Sequence, residues 1–238
     1  MRAMLLAAGR GERMRPLTDQ TPKPLLKVGG KALIEWHLCK LARAGFQQVV
    51  VNHAWLGEQI QSFIGDGRHW NLHIEHSPET DALETAGGIA KALPQLGDHP
   101  FLVVNADVWT DWDFKNALEA AKMLDQHPQK LAYLVLVPNP SHHPKGDFAL
   151  SAQGLVMDPS APDWADNELS RYTFSGIGIY RPAMFAGIGL GQKAALAPLL
   201  RKAMRSGQVL GRVYTGQWHD VGTVQRLESL DLLLKTQG

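Results

Sequence analysis

One cysteine, Cys39, stands among 238 residues. An internal disulfide is therefore excluded, and the apolar helical pattern around Cys39 predicts a buried, inert thiol. No run of about 18 apolar residues occurs, so no membrane span is expected. The apolar start Met1–Ala8 reaches Gly9 and Arg10 too early for the core of a secretory leader. A net charge of only +1 leaves no bulk field to draw nucleic acid or an anionic membrane, so basic residues must act locally. Internal repeats and low-complexity segments are missing. The adjacent pair His142 and His143 has no third ligand at a spacing that suits zinc. Together these absences predict a cytoplasmic enzyme that binds neither nucleic acid nor membrane.

What the chain does have is concentrated near its start. The run Leu5-Leu6-Ala7-Ala8-Gly9-Arg10-Gly11-Glu12-Arg13-Met14-Arg15-Pro16-Leu17-Thr18 continues to Thr21-Pro22-Lys23-Pro24-Leu25. An apolar strand passes into small residues, then glycines, arginines and a lysine between prolines. Such a loop brings backbone N–H groups and cations around an anion, and a triphosphate is the natural guest. It is not a P-loop, because Gly11 is followed by Glu12-Arg13 rather than by the required spacing to Gly-Lys-Ser/Thr. It is not a dinucleotide fingerprint either. Met14 stands at the sixth position, and the second strand ends at Asn52-His53 without an acid for a ribose.

Strand and helix signals alternate after this loop. Strands are predicted over 3–7, 48–52, 72–76, 101–104 and 131–137, and helices over 32–44, 56–64, 85–93 (stopped by Pro94) and 114–124. This order predicts an α/β fold, a mainly parallel, Rossmann-like mixed sheet with helices on both faces. Beyond a soft boundary near Pro138 come a short hairpin over 147–157, a surface loop over 158–170 that includes Asp163, a strand over 172–180, and helices over 196–204 and 223–234. The whole chain, 1–238, reads as a single domain. Residues 1–137 carry the anion loop and read as its nucleotide-binding part, and 138–238 as a small lid and C-terminal part. Asp107, in Asn105-Ala106-Asp107 directly after the most apolar strand, is placed either to ligate Mg²⁺ beside a triphosphate or to cap the next segment.

The first loop closely resembles the signature of the sugar-phosphate nucleotidyltransferases, L-A-A-G-x-G-T/S-R-M/L-x-P-L-T…P-K, with Glu12 where Thr or Ser is usual. The resemblance implies that Ala8, Gly9, Gly11, Glu12, Arg13 and Lys23 bind the nucleotide, with Arg13 and Lys23 catalytic. It implies that Asp107 is both catalytic and a Mg²⁺ ligand. Asp220, in His219-Asp220-Val221-Gly222-Thr223, resembles the family's second metal carboxylate. Leu83-Glu84-Thr85-Ala86-Gly87 resembles the base-binding L-G-T-A-G segment, with Glu84 replacing its first glycine. This brings Thr85 and Gly87 to the nucleotide. Backbone groups of Ala8, Gly9 and Gly87 are expected to meet the carbonyls of a uracil, and Glu79 its N3–H. The resemblance also implies sugar binding for 138–238, and Asn105, Asn139, Gly146, Asp147, Ser175 and Gly176 are expected to contact the sugar phosphate. The family's Glu-Lys-Pro after the hairpin is absent, leaving Lys145, Arg171 and Lys193 as candidate cations for that phosphate.

The chemistry implied is attack by a sugar 1-phosphate oxygen on the α-phosphorus of a nucleoside triphosphate, with pyrophosphate leaving. Several phrases, among them Asn52-His53-Ala54-Trp55-Leu56-Gly57 and Asn105-Ala106-Asp107-Val108-Trp109-Thr110-Asp111, resemble family members of cell-wall recycling. That likeness implies UTP and N-acetylmuramic acid 1-phosphate as substrates, with His142, His143 and Lys145 as the cationic cluster for the lactyl carboxylate. Guanylyl transfer to mannose 1-phosphate and thymidylyl or uridylyl transfer to glucose 1-phosphate are the nearest alternatives. An NAD-dependent oxidoreductase and a non-catalytic nucleotide-binding module are the alternatives of a different class. No hexapeptide β-helix region is present, so acetyl transfer is not expected, and a monomer is.

Overall fold

The computed structural model describes residues 1–162, 164 and 169–237. Its strands are β1 (Ala3–Leu6), β2 (Lys27–Val28), β3 (Lys31–Ala32), β4 (Gln48–His53), β5 (His73–Pro78), β6 (Phe101–Asn105), β7 (Val108–Thr110), β8 (Ala132–Val137), β9 (Phe148–Leu150), β10 (Val156–Met157), β11 (Arg171–Tyr180), β12 (Val209–Val213) and β13 (Trp218–Asp220). Its helices are α1 (Leu17–Gln20), α2 (Leu33–Arg43), α3 (Gly57–Ile64), α4 (Glu84–Leu96), α5 (Asn116–Gln126), α6 (Leu196–Arg205) and α7 (Val224–Gln237). Asp163 and residues 165–168 of the expected surface loop lie outside the described residues.

The main sheet runs β12-β8-β11-β6-β1-β4-β5, with β9 and β10 attached at the start of β11. β6, β1, β4 and β5 are mutually parallel. β11 is antiparallel to both β6 and β8, while β12 is parallel to β8. The apolar runs Ala3–Leu6 and Phe101–Val104 occupy the middle, as expected of strands covered on both faces. Their alternating side chains feed two cores. Leu5, Val51, Leu102 and Val104 pack with α2, α3 and α5. Met4, Val50, Val103 and Leu134 pack with α4 and α6. A third cluster joins Met14, Val28, Leu33, Trp109, Val221, Leu227 and Leu230, binding the first loop to α7.

Two expectations need correction. α4 does not stop at Pro94 but runs to Leu96. Pro94 removes one N–H from the last turn and its ring crowds the carbonyl four residues back, but the turn is completed beyond it, where the Gly97 N–H meets the Leu93 carbonyl at 3.0 Å. Cys39 is half-buried rather than fully enclosed. No helix among the described residues is long and apolar enough to cross a membrane.

Candidate active site

The carboxyl ends of β1, β4, β5 and β6 converge on one edge of the sheet, where open α/β sheets bind ligands. Three adjoining cavities lie there, of about 220, 460 and 360 Å³. Asn105, at the end of β6, lines all three.

The first cavity is walled by Ala8, Gly9, Lys23, Asn52, Glu79, Thr85 and Asp107, among others. A Cβ on Gly9 would meet nothing within 4 Å, so its backbone faces open space. Gly11 adopts φ +69, and a Cβ there would press on Thr18 and Lys23 at 3.0 and 3.2 Å. Glycine at this position lets the loop close: the Thr18 hydroxyl donates to the Gly11 carbonyl at 2.9 Å. Lys23, buried to 6% exposure, is folded inward and its Nζ donates to Asp107 Oδ2 at 2.5 Å.

Glu79 is buried in the wall of this cavity. Its Oε1 accepts from Asn52 Nδ2 at 2.6 Å and its Oε2 from the Leu83 N–H at 2.8 Å. Asn52 Oδ1 in turn accepts the Ala7 N–H at 2.9 Å. Asn52 therefore ties three strand ends together, a role that sequence reasoning missed. A polar residue at the end of an apolar strand was the available signal. Gly88 permits this packing, since a Cβ there would lie 2.6 Å from Glu79 Oε1. Gly87 is directed elsewhere. It does not line the cavity, and its N–H donates to the Ala194 carbonyl at 3.1 Å, beside that of Ala86 at 2.9 Å.

The second cavity is largely apolar and includes Thr85, Asp147, Phe148, Phe174 and Gly176. The third brings together Arg13, Asp107, His142, His143, Asp147, Ser175, Gly176 and Asp220. Asp107 and Asp220 are neighbours because β13 pairs with β7, setting Asp220 opposite Val108, and the Val221 N–H donates to the Asp107 carbonyl at 3.0 Å. The ribbon is braced from α2. His37 Nε2 donates to the Val108 carbonyl at 2.8 Å, and Lys40 Nζ donates to the carbonyl of Thr110. Burial drives the His37 imidazole down to about 4 and the Lys40 ammonium down to about 8.

Asp147 is fixed by His143 at 3.0 Å and by the Phe174 N–H at 2.8 Å. Ser175 donates to the Val135 carbonyl at 2.7 Å, holding the irregularity in β11 where Gly176 has φ +78. Asn139 and Gly146 shape the loop before β9 and line none of the three cavities. The Asn139 amide donates to the carbonyls of Pro144 and Arg171 at 3.2 and 3.0 Å. Glu12, Lys145, Arg171 and Lys193 also line none of them. Lys193 instead approaches Glu84 at 3.8 Å.

Arg226 was not anticipated. From α7, its Nη1 donates to Asp220 Oδ2 at 2.6 Å and to His142 Nε2 at 2.7 Å. Because a guanidinium only donates, His142 accepts at Nε2, and its 3.5 Å approach to Asp220 is not an ion pair. Asp107, in the turn before β7, and Asp220, at the end of β13, offer only oxygen donors beside one cavity, and the Oδ1 of each has no donor among the described residues. Such a set suits a hard cation that takes one or two carboxylates and completes its shell with phosphate and water.

The model of the family described as nucleotidyl transferase matches residues 2–237. The N-acetylmuramate alpha-1-phosphate uridylyltransferase of Neisseria meningitidis serogroup B is 56% identical over 234 residues, 98% of each chain. The protein of the same name from Caulobacter vibrioides is 34% identical over 94% of this chain and 92% of its own. A solved structure of a Bacillus anthracis protein, provisionally described as a glucose-1-phosphate thymidylyltransferase, covers 99% of this chain and 95% of its own with a TM-score of 0.82. At 20% identity it bears on the fold alone. The loop, the strand-end cavities and the paired aspartates thus sit in a chain that belongs to the nucleotidyl transferase family.

Proposed function

We propose that this chain transfers a uridylyl group from UTP to N-acetylmuramic acid 1-phosphate, giving UDP-N-acetylmuramic acid and pyrophosphate. The observation that carries this reading is the 56% identity over 98% of both chains to an enzyme of that name. A nucleotide bound across the first cavity would present its α-phosphate beside Lys23 and Asp107, its oxygens taking over the Lys23 ammonium from Asp107. The sugar 1-phosphate, already ionised at pH 7, needs no general base. One of its oxygens attacks the α-phosphorus in line as the bond to the pyrophosphate oxygen breaks. Lys23 carries charge on the α-phosphate and the incoming phosphate, and Arg13 on the departing pyrophosphate; catalysis is positioning plus electrostatic stabilisation. Asp107 and Asp220 would hold Mg²⁺, which supplies charge neutralisation for the two anions when bound.

In this reading 1–238 act as one domain, a monomer in the cytoplasm. Glu79 receives the uracil N3–H, its two bonds leaving lone pairs free. The test is a panel of nucleoside triphosphates against sugar 1-phosphates, with pyrophosphate release measured with and without a chelator. UTP with N-acetylmuramic acid 1-phosphate is expected to give the highest kcat/KM, and the chelator to abolish it. A preference for GTP with mannose 1-phosphate, or for dTTP with glucose 1-phosphate, would overturn the substrate assignment.

A further inference from the structure

We propose that Arg226 and Arg13 form a phosphate-binding pair over Gly222, so that the last helix supplies a substrate-contacting cation which the first loop cannot supply alone. The proposal rests on the nucleotidyl-transfer reading and extends it to a residue outside the signature.

Gly222 lies in the turn between β13 and α7. A Cβ placed on it would collide with Arg226 Nη2 and lie 3.3 Å from Arg13 Nη2. Two guanidinium tips thus end over one bare stretch of backbone. Neither tip is spent elsewhere among the described residues. Arg226 uses Nη1 for Asp220 and His142, and Nε for the Thr223 hydroxyl at 3.4 Å, leaving Nη2 unpaired. Arg13 has neither a hydrogen-bond acceptor nor a carboxylate partner among the described residues, and it lines the same cavity as Asp107 and Asp220. Like charges brought to one point repel unless an anion lies between them.

The arrangement is held firmly rather than reached by chance. Arg226 is clamped by Asp220 on one edge, only 24% of its side chain is exposed, and the Thr223 hydroxyl accepts its backbone N–H at 3.3 Å. Met14 and Val221, the residues next to Arg13 and Gly222, are fully buried in one cluster with Leu227. A planar fork of donors beside a second fork matches phosphate oxygens, which guanidinium groups bind in a bidentate manner. The phosphate could belong to the triphosphate tail, leaving as pyrophosphate, or to the acceptor sugar, since His142 links Arg226 to the loop that carries Asp147. Both have the same chemistry at this point, and the experiment separates them.

The whole enzyme and its Arg226→Gln, Arg226→Lys and Gly222→Ala variants would be titrated calorimetrically with pyrophosphate and with inorganic phosphate, in chelator and without turnover. Gly222→Ala keeps both arginines but puts a methyl group against Arg226 Nη2, which forces the guanidinium tip off the turn and away from Arg13. At least a tenfold loss of anion affinity is expected in Arg226→Gln and Gly222→Ala, with Arg226→Lys intermediate and thermal melts matching the parent. A rise in the KM of UTP in the same variants assigns the site to the triphosphate tail, and a rise in that of the sugar 1-phosphate assigns it to the acceptor. Unchanged anion binding, or a parent enzyme that binds neither anion, overturns the proposal. Lost turnover with unchanged anion binding and a raised magnesium requirement would instead make Arg226 a positioning residue for Asp220. Because binding is read without turnover, an absent nucleotidyl transfer would defeat the reaction assignment while leaving this test standing.

Discussion

Replacing His37 should flatten the acid side of the stability curve. His37 is 1% exposed and stacks on Phe114 with ring centroids 6.0 Å apart. Its Nε2 donates to the Val108 carbonyl at 2.8 Å, while Nδ1 is buried without a partner. Protonation would place a second N–H at Nδ1, where nothing accepts it. Burial is the main reason that the imidazole lies at about 4 instead of 6.5, with the Lys40 charge adding to it and the Val108 carbonyl and Asp107 opposing it. Between those values the unfolded chain binds the proton and the folded one does not. Stability therefore rises with pH across this window, and is lost as pH falls from about 6.5 toward 4. At about 1.36 kcal/mol per pKa unit, the full effect is about 3 kcal/mol, of which about 2 kcal/mol is already gone at pH 5. His37→Gln retains an N–H for the Val108 carbonyl but does not titrate. Urea unfolding at pH 7, 6, 5 and 4.5 should show the parent's free energy falling toward the variant's by about 2 kcal/mol between pH 7 and 5. Parallel curves, within about 0.5 kcal/mol, would refute the reasoning.

Three further outcomes are expected. Lys23→Met and Asp107→Ala each remove one partner of the 2.5 Å pair; turnover should fall about 10²- to 10³-fold, as for the loss of an oriented charge-stabilising group, with circular dichroism unchanged. Glu79→Ala should raise the KM for UTP more than that for the sugar 1-phosphate, because Glu79 lines only the first of the three cavities; initial rates at varied UTP check this, and an unchanged KM counts against it. Glu84 has φ +60 at the start of α4, a conformation costing a non-glycine residue about 1–2 kcal/mol. Against about 0.5–1 kcal/mol of added chain entropy for glycine, a net gain of about 1 kcal/mol remains, so Glu84→Gly should raise Tm by about 2–4 °C in calorimetry; a lower Tm would refute this account of the strain.

The parallel half of the sheet was legible because its strands are local signals. Gln48–Asn52 and Phe101–Val104 are short apolar runs with turns at both ends, and burial on both faces is what such runs require. The tight turn of the first loop was legible because glycine and proline restrict what a backbone can do, and Gly11 at φ +69 closes it against Thr18. The remainder depends on distant pairing. β7 and β13 have three residues each, too few for any periodicity, yet their pairing brings Asp220 to Asp107 across more than a hundred residues. The insertion of antiparallel β11 between β6 and β8 leaves no trace in the order of elements. Gly87 shows the opposite failure. The resemblance of its segment implies a place at the nucleotide, but Gly87 lines none of the three cavities, and a Cβ on it would press on the chain at Gln192 and Ala194.

The charged groups of the site share one device for holding position. Asp107 lies between Ala106 and Val108, Arg13 precedes Met14, and Asp220 precedes Val221, and each of these apolar neighbours is buried. A charge that must stay near opposite and like charges cannot be positioned by those charges alone, because exposed ion pairs contribute little and rearrange as ligands arrive. The adjacent buried side chain fixes the backbone instead, at about 1.5–3 kcal/mol for each large apolar residue enclosed. Met14, Val221 and Leu227 belong to one cluster, so the loop carrying Arg13, the turn carrying Asp220 and the helix carrying Arg226 are anchored to the same apolar mass. An anionic substrate would then replace Asp107 on Lys23, or Asp220 on Arg226, without moving the backbone that bears them. That is the condition under which electrostatic stabilisation is already in place when the transition state forms.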